Sequence, residues 1–106
     1  MTDVHAQDTA ARHAEDLARL ELYDENSGLI GAIENRPGQK LSLKIYYQVA
    51  LEYGTIGPQA ARRALELYGA HAADAQANPG KHPNIDRLFR IVADNLRLTI
   101  VPVFRD

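Results

Sequence analysis

Cysteine is absent from this chain. Disulfides, thiolate catalysis and cysteine-ligated zinc are therefore excluded. No stretch approaches the ~18 consecutive apolar residues of a membrane span, so no membrane contact is expected. The first residues have neither a basic start nor an apolar run, which does not resemble a signal peptide. A cytoplasmic protein is the resulting expectation.

Charge of one sign is also scarce, because the formal net charge is −2. Non-specific nucleic-acid binding needs clustered lysine and arginine, so no nucleic-acid partner is expected. The 106 residues, 45% hydrophobic and 25% charged, suit one globular domain with one core. Polar residues 1–9 predict a flexible N-terminal tail, and residues 10–106 predict the domain.

The periodicity of apolar residues predicts an α+β domain, a small antiparallel sheet of about three strands covered by three to four helices. The sheet is expected to combine a hairpin with a C-terminal strand, in which Pro102 favours a strand end or an edge. The predicted elements are a helix over 10–19, strands over 20–23 and 29–33 around a turn at 24–28, helices over 41–53 and 58–77, a helix capped by Asn84 and ending near Asn95, and a strand over 96–103.

The helix over 41–53 carries a narrow polar stripe formed by Lys44, Gln48 and Glu52, which follow one another at i+4 steps. Its other residues are mostly apolar, which is typical of a largely buried helix. We therefore expect it to be the central helix of the domain.

Three stretches carry a resemblance to known proteins. They are Leu22-Tyr23-Asp24 with Gly31, the loop over 35–39, and the segment from His71 to Leu88 with its Asn78-Pro79-Gly80-Lys81-His82-Pro83 core. From about Leu20 onward the chain resembles a family of small, uncharacterised bacterial proteins classed as a domain of unknown function. The resemblance implies a bacterial, cytosolic protein, and it brings no activity, ligand or catalytic residue.

One candidate site is the set His71, Asp74, His82 and Asp86. His71 and Asp74 share a helix face at i, i+3, and a loop that folds back would bring the other two to them. Two imidazoles and two carboxylates suit zinc, manganese or non-haem iron, and a His/Asp pair suits acid–base chemistry. The alternative is that these residues form no site. His71 would then hydrogen-bond Asp74 on the surface, Asp86 would help to start a helix, and His82 would be an ordinary loop residue. No cofactor is predicted, and the identity of any metal stays unknown.

A second candidate is an anion site formed by Arg36, Lys40, Ser42 and Lys44 at the start of the helix over 41–53. Free N–H groups at a helix N-terminus favour anions, although the spacing is not that of a P-loop. The alternative is a Pro-Gly turn with solvated charges. A nucleophile drawn from Ser27 or Ser42 with His71 or His82 lacks the Gly-x-Ser-x-Gly elbow.

Two classes of function follow from these residues. The small size and the lack of a catalytic motif favour a non-enzymatic binding or interaction domain, with a protein partner or a homodimer. The alternative is a small metal-dependent or acid–base enzyme that uses the cluster within residues 71–86. The sequence alone identifies neither the ligand nor the oligomeric state.

Overall fold

A β-hairpin opens the computed structural model, which describes residues 14–105. Strands β1 (Leu17–Tyr23) and β2 (Leu29–Glu34) pair antiparallel. The Asp24 carboxylate closes the turn by accepting hydrogen bonds from the backbone N–H groups of Asn26 and Gly28, each at 2.9 Å. Asp suits such a turn because its side chain bonds nearby backbone, and Ser27 adopts the left-handed conformation there with φ +65°. The predicted hairpin is confirmed.

The third strand, β3 (Thr99–Phe104), pairs antiparallel with β1, so the sheet order is β2-β1-β3. Leu22 lies opposite Ile100, and Leu20 lies opposite Ile33. These four side chains are buried and form the core face of the sheet. The predicted closure of the sheet is confirmed.

The prediction for the start of the domain is wrong in part. The helix predicted over 10–19 ends before Leu17, where β1 begins, and its residues 10–13 lie outside the described residues, as does the predicted tail over 1–9. Leu17 pairs with Phe104 on β3. Pairing with β3 extends the strand toward the N-terminus, because tertiary contacts override weak local propensity.

Helix α1 (Lys40–Tyr53) packs against all three strands and carries five buried side chains, Leu43, Ile45, Tyr46, Tyr47 and Val49. Its central position is confirmed. The prediction that only a narrow polar stripe of this helix is exposed is wrong, because Leu41, Leu51 and Tyr53 are also exposed. The neighbouring elements cover less of the helix than its apolar composition predicts.

The helix predicted over 58–77 is two helices, α2 (Pro58–Tyr68) and α3 (Ala70–Ala77). Gly69 separates them with φ +59° and ψ −125°, a backbone conformation that is almost confined to glycine. The apolar pattern runs through Gly69 unbroken, so periodicity alone could not locate the break. A new helix direction after Gly69 places α3 beside α4.

Helix α4 (Pro83–Asp94) begins one residue before Asn84, so the predicted capping role of Asn84 is wrong and His82 occupies the N-cap position. Pro83 fits the first helical position because the missing N–H would be unpaired there anyway. The helix ends at Asp94, which confirms the predicted end near Asn95, and Asn95 itself adopts the left-handed conformation.

Buried alanines on α2 let it pack closely against α4, and α1 packs against α2 and against all three strands. A hydrogen bond links α1 to α4, since the hydroxyl of the fully buried Tyr46 donates to the backbone carbonyl of Asn84. The architecture is α+β, with a three-stranded antiparallel sheet and four helices over residues 14–105. In that range no helix has the length and apolar character needed to cross a membrane.

Candidate functional site

Helix α3 and the loop that follows it, residues 78–82, bring together Asp74, Lys81 and two histidines. His82 Nε2 lies 2.6 Å from Asp74 Oδ2, and Lys81 Nζ lies 3.1 Å from the same oxygen. The ring of His71 stands edge-on to that of His82, with centroids 6.4 Å apart. The loop thus folds back as the sequence analysis allows, and it places His82 beside both Asp74 and His71.

Asp74 is the anionic centre of this cluster. Hydrogen bonds from His82 and then Lys81 lower the pKa of Asp74 from 3.8 to about 2. An ionised carboxylate only accepts hydrogen bonds, so the Nε2 atom of His82 carries a proton and donates it. One oxygen of Asp74 thus holds both neighbouring side chains in place.

Asp86, the fourth residue predicted for this site, has another role. Its Oδ2 accepts a hydrogen bond from the backbone N–H of Gly80 at 2.9 Å, which ties the loop to the first turn of α4. Across residues 14–105, no three histidine, aspartate or glutamate side chains form a group that could hold a metal ion. The described geometry therefore gives the metal interpretation no support.

A cleft of about 250 Å³ opens beside the cluster. Lys81 and both histidines line it, together with Ser42 from the first turn of α1 and Tyr68 from the end of α2. The cluster from the 71–86 segment and one residue of the predicted anion site therefore share one cavity. Only the packing of the helices brings Ser42 of α1 and His71 of α3 to the same cavity.

Ser42 and Tyr68 form a hydrogen-bonded pair in this cleft. The Tyr68 hydroxyl donates to Ser42 Oγ at 2.6 Å. Burial raises the pKa of Tyr68, so the phenol stays protonated and remains a donor. The sequence analysis missed this pair, because 26 positions separate the partners.

The other residues of the predicted anion site lie elsewhere. Arg36 Nη2 is 4.0 Å from Glu34 Oε1 at the surface. Lys40 and Lys44 line a separate cavity of about 590 Å³, which Arg105 also lines. The four residues thus do not form a single site.

The two serines considered as nucleophiles also separate. Ser27 lies in the turn between β1 and β2, whereas Ser42 lines the cleft together with both histidines. Ser42 is the one that shares a cavity with His82, whose imidazole bonds to Asp74.

Comparison with known proteins identifies the family of this chain. No curated protein and no solved structure matches the chain. A family model does match it, over residues 7–102. Since this match spans nearly the whole sequence, as the three resembling stretches predict, the chain belongs to DUF2322, a family of uncharacterized proteins conserved in bacteria.

Proposed function

We propose that this domain is a non-enzymatic binding module and that its ligand is a small carboxylate held in the 250 Å³ cleft. The observation that carries the proposal is the meeting of His71, Lys81 and Ser42 on one cavity from separate parts of the chain. Binding sites are typically cavities with a few convergent polar groups. The volume suits a compact ligand of a few heavy atoms.

Hydrogen-bond donors dominate the polar lining of this cleft. Ser42 Oγ already accepts from Tyr68, so the Ser42 hydroxyl hydrogen is available to a ligand. Lys81 keeps further N–H groups beyond the one facing Asp74, since an ammonium group has three. His71 forms no hydrogen bond with any described residue and presents its ring beside His82. An acceptor-rich anion matches this set.

Titration with succinate, followed by two-dimensional amide NMR at constant ionic strength, tests the proposal. Saturable shifts are expected at Gly38, Lys81 and Asn84, which line the cleft. Lys81→Gln should weaken binding by about tenfold, because a charge-assisted hydrogen bond is lost. Lys44→Gln, the same charge change at another cavity, should leave the affinity unchanged. Equal effects of both variants, or shifts that never saturate, would contradict the proposal.

An acid–base enzyme is the second candidate. It is favoured by the His82–Asp74 pair at 2.6 Å, beside a cleft that also contains a serine hydroxyl. A carboxylate that orients an imidazole is the arrangement by which histidine acts as a general base. Hydrolysis of p-nitrophenyl acetate that disappears in both His82→Ala and Ser42→Ala would favour this candidate over the binding module.

Self-association is proposed through the outer edge of β2, which pairs with no other strand in residues 14–105. Leu29 and Ile30 are 61% and 47% exposed there, whereas the other edge of the sheet carries Pro102, which cannot donate to a new strand. Unprotected edges are templates for pairing with another chain. Light scattering should show a dimer that Ile30→Lys converts to a monomer, while Val101→Lys on β3 leaves it intact. A monomeric wild-type protein would refute this part of the proposal.

The proposed site of action is the cytoplasm, the location that the sequence analysis expects. Fractionation of the source bacterium, with detection of the protein by antibody, tests this location. Recovery in the periplasmic or membrane fraction would contradict it.

A further inference from the structure

A third cavity, of about 380 Å³, lies where α1 ends and α2 begins. Its lining is unlike that of the cleft, because it combines an aromatic ring with two guanidinium groups. The residues that matter here are Tyr53, Thr55, Gly57, Gln59, Arg62 and Arg97. This cavity and the cleft lie toward opposite ends of α2, so they are separate places on the molecule.

Arg97 reaches this cavity through a backbone bridge. Ile56 and Leu98 exchange two backbone hydrogen bonds of 2.9 Å, which fixes the segment before β3 beside the start of α2. Arg97 Nη1 then donates to Thr55 Oγ1 at 3.2 Å. The guanidinium group is thereby positioned by a neutral partner rather than by a carboxylate.

Gly57 provides the space for this arginine. A Cβ atom at that position would lie 2.9 Å from Arg97 Nη1 and 3.0 Å from Arg97 Cζ. A Cβ contact of 2.9 Å is essentially never seen, so any larger residue would displace the far end of the Arg97 side chain. The absence of a side chain at Gly57 is therefore matched to the placement of Arg97.

The charge of this cavity is unbalanced. Arg62 and Arg97 form no ion pair with any residue in 14–105, and no acidic residue lines the cavity. Arg63, by contrast, lies 3.8 Å from a Glu52 oxygen and 3.7 Å from a Glu66 oxygen. Arg62 and Arg97 line the same cavity, so a bound anion would be attracted by two positive charges. Their forked N–H groups match the oxygens of phosphate better than a point charge does.

We propose that this cavity binds the phosphate group of a small phosphate monoester through Arg62 and Arg97. Tyr53 is 41% exposed at the same cavity, so its ring contacts the organic part of the ligand. Aromatic faces pair well with planar rings, which makes an aryl phosphate a better probe than inorganic phosphate. This site is independent of the carboxylate cleft.

Amide NMR titration with inorganic phosphate and with phenyl phosphate, at constant ionic strength, tests the site. Saturable shifts are expected at Thr55, Gln59 and Arg62, with phenyl phosphate binding more tightly. Arg62→Gln and Arg97→Gln should each weaken binding by about tenfold. Arg90→Gln removes the same charge from an exposed position on α4 outside this cavity and should have no effect.

Gly57→Ala supplies an independent readout, because it keeps both arginines but displaces one of them. It should weaken phosphate binding about as much as Arg97→Gln does. Should the changes at 57 or 97 impair folding, Arg62→Gln alone decides, since Arg62 is exposed and makes no ion pair in the described range. Shifts that do not saturate, or equal losses in Arg62→Gln and Arg90→Gln, would overturn the proposal.

Discussion

His82 Nε2 lies 2.6 Å from Asp74 Oδ2 and so joins the residue before α4 to the middle of α3. A second hydrogen bond, from the Gly80 backbone N–H to Asp86, joins the loop over 78–82 to α4. The two hydrogen bonds together fix the loop to both neighbouring helices. Order in this loop is what allows Lys81 and His82 to line the cleft at fixed positions. Preorganised donors bind a ligand with a smaller entropic cost than mobile ones.

The pH dependence of stability should report the ionisation of Asp74. Its pKa is lowered from 3.8 to about 2 by His82 and Lys81, so its contribution is fully present above 3.8. That contribution is lost as the pH falls through about 2, because the native carboxylate is then protonated. The difference in unfolding free energy between wild type and Asp74→Asn should therefore shrink over this range. Urea denaturation at several pH values measures it, and a constant difference would contradict the assignment.

Val49→Asp should unfold the protein. Val49 is completely buried on α1, and an unpaired buried carboxylate costs several kcal/mol against a total stability of roughly 5–15 kcal/mol. Leu51→Asp on the same helix is the control, since Leu51 is 53% exposed and should tolerate the charge. Circular dichroism melting distinguishes them. A cooperative melt of Val49→Asp near the wild-type temperature would refute the placement of α1.

Gly69→Ala should destabilise the domain through backbone strain. No atom lies within 4 Å of a Cβ built there, but φ is +59°, where a non-glycine residue costs about 1–3 kcal/mol. Gly31→Ala is the matched control, because its φ is ordinary and its nearest new contact, Arg87 Nη2 at 3.7 Å, is unstrained. Chemical denaturation should show a loss for the first variant only. Equal stability of both would mean that α2 and α3 can form one continuous helix.

Tyr46→Phe should lower stability by about 1–3 kcal/mol, since it leaves buried polar groups without a partner. Burial raises the pKa of Tyr46 to about 12, so its hydroxyl donates to the Asn84 carbonyl and accepts from Arg87 at 3.2 Å. Tyr53→Phe is the control, because that ring is exposed and its hydroxyl bonds to no described residue. A similar unfolding free energy for the two variants would show that the Tyr46 hydroxyl does not link α1 to α4.

The sequence by itself determined the features that rest on short-range chemistry. Turn formers between Asp24 and Gly28 specify the hairpin, and the Gly54–Pro58 segment ends one helix and begins another. Apolar spacing placed Val49 and Tyr46 in the core, and Pro102 marked an edge strand. Each of these follows from backbone preferences or burial patterns within a few residues.

Tertiary structure alone decided which residues meet. Nothing local brings Ser42 to Tyr68 or Arg97 to Gly57, since tens of positions separate each pair. The same packing divided the predicted anion site between two cavities and left Leu51 exposed. Periodicity assigns a residue to a helix face, but the arrangement of helices around one core determines what that face contacts.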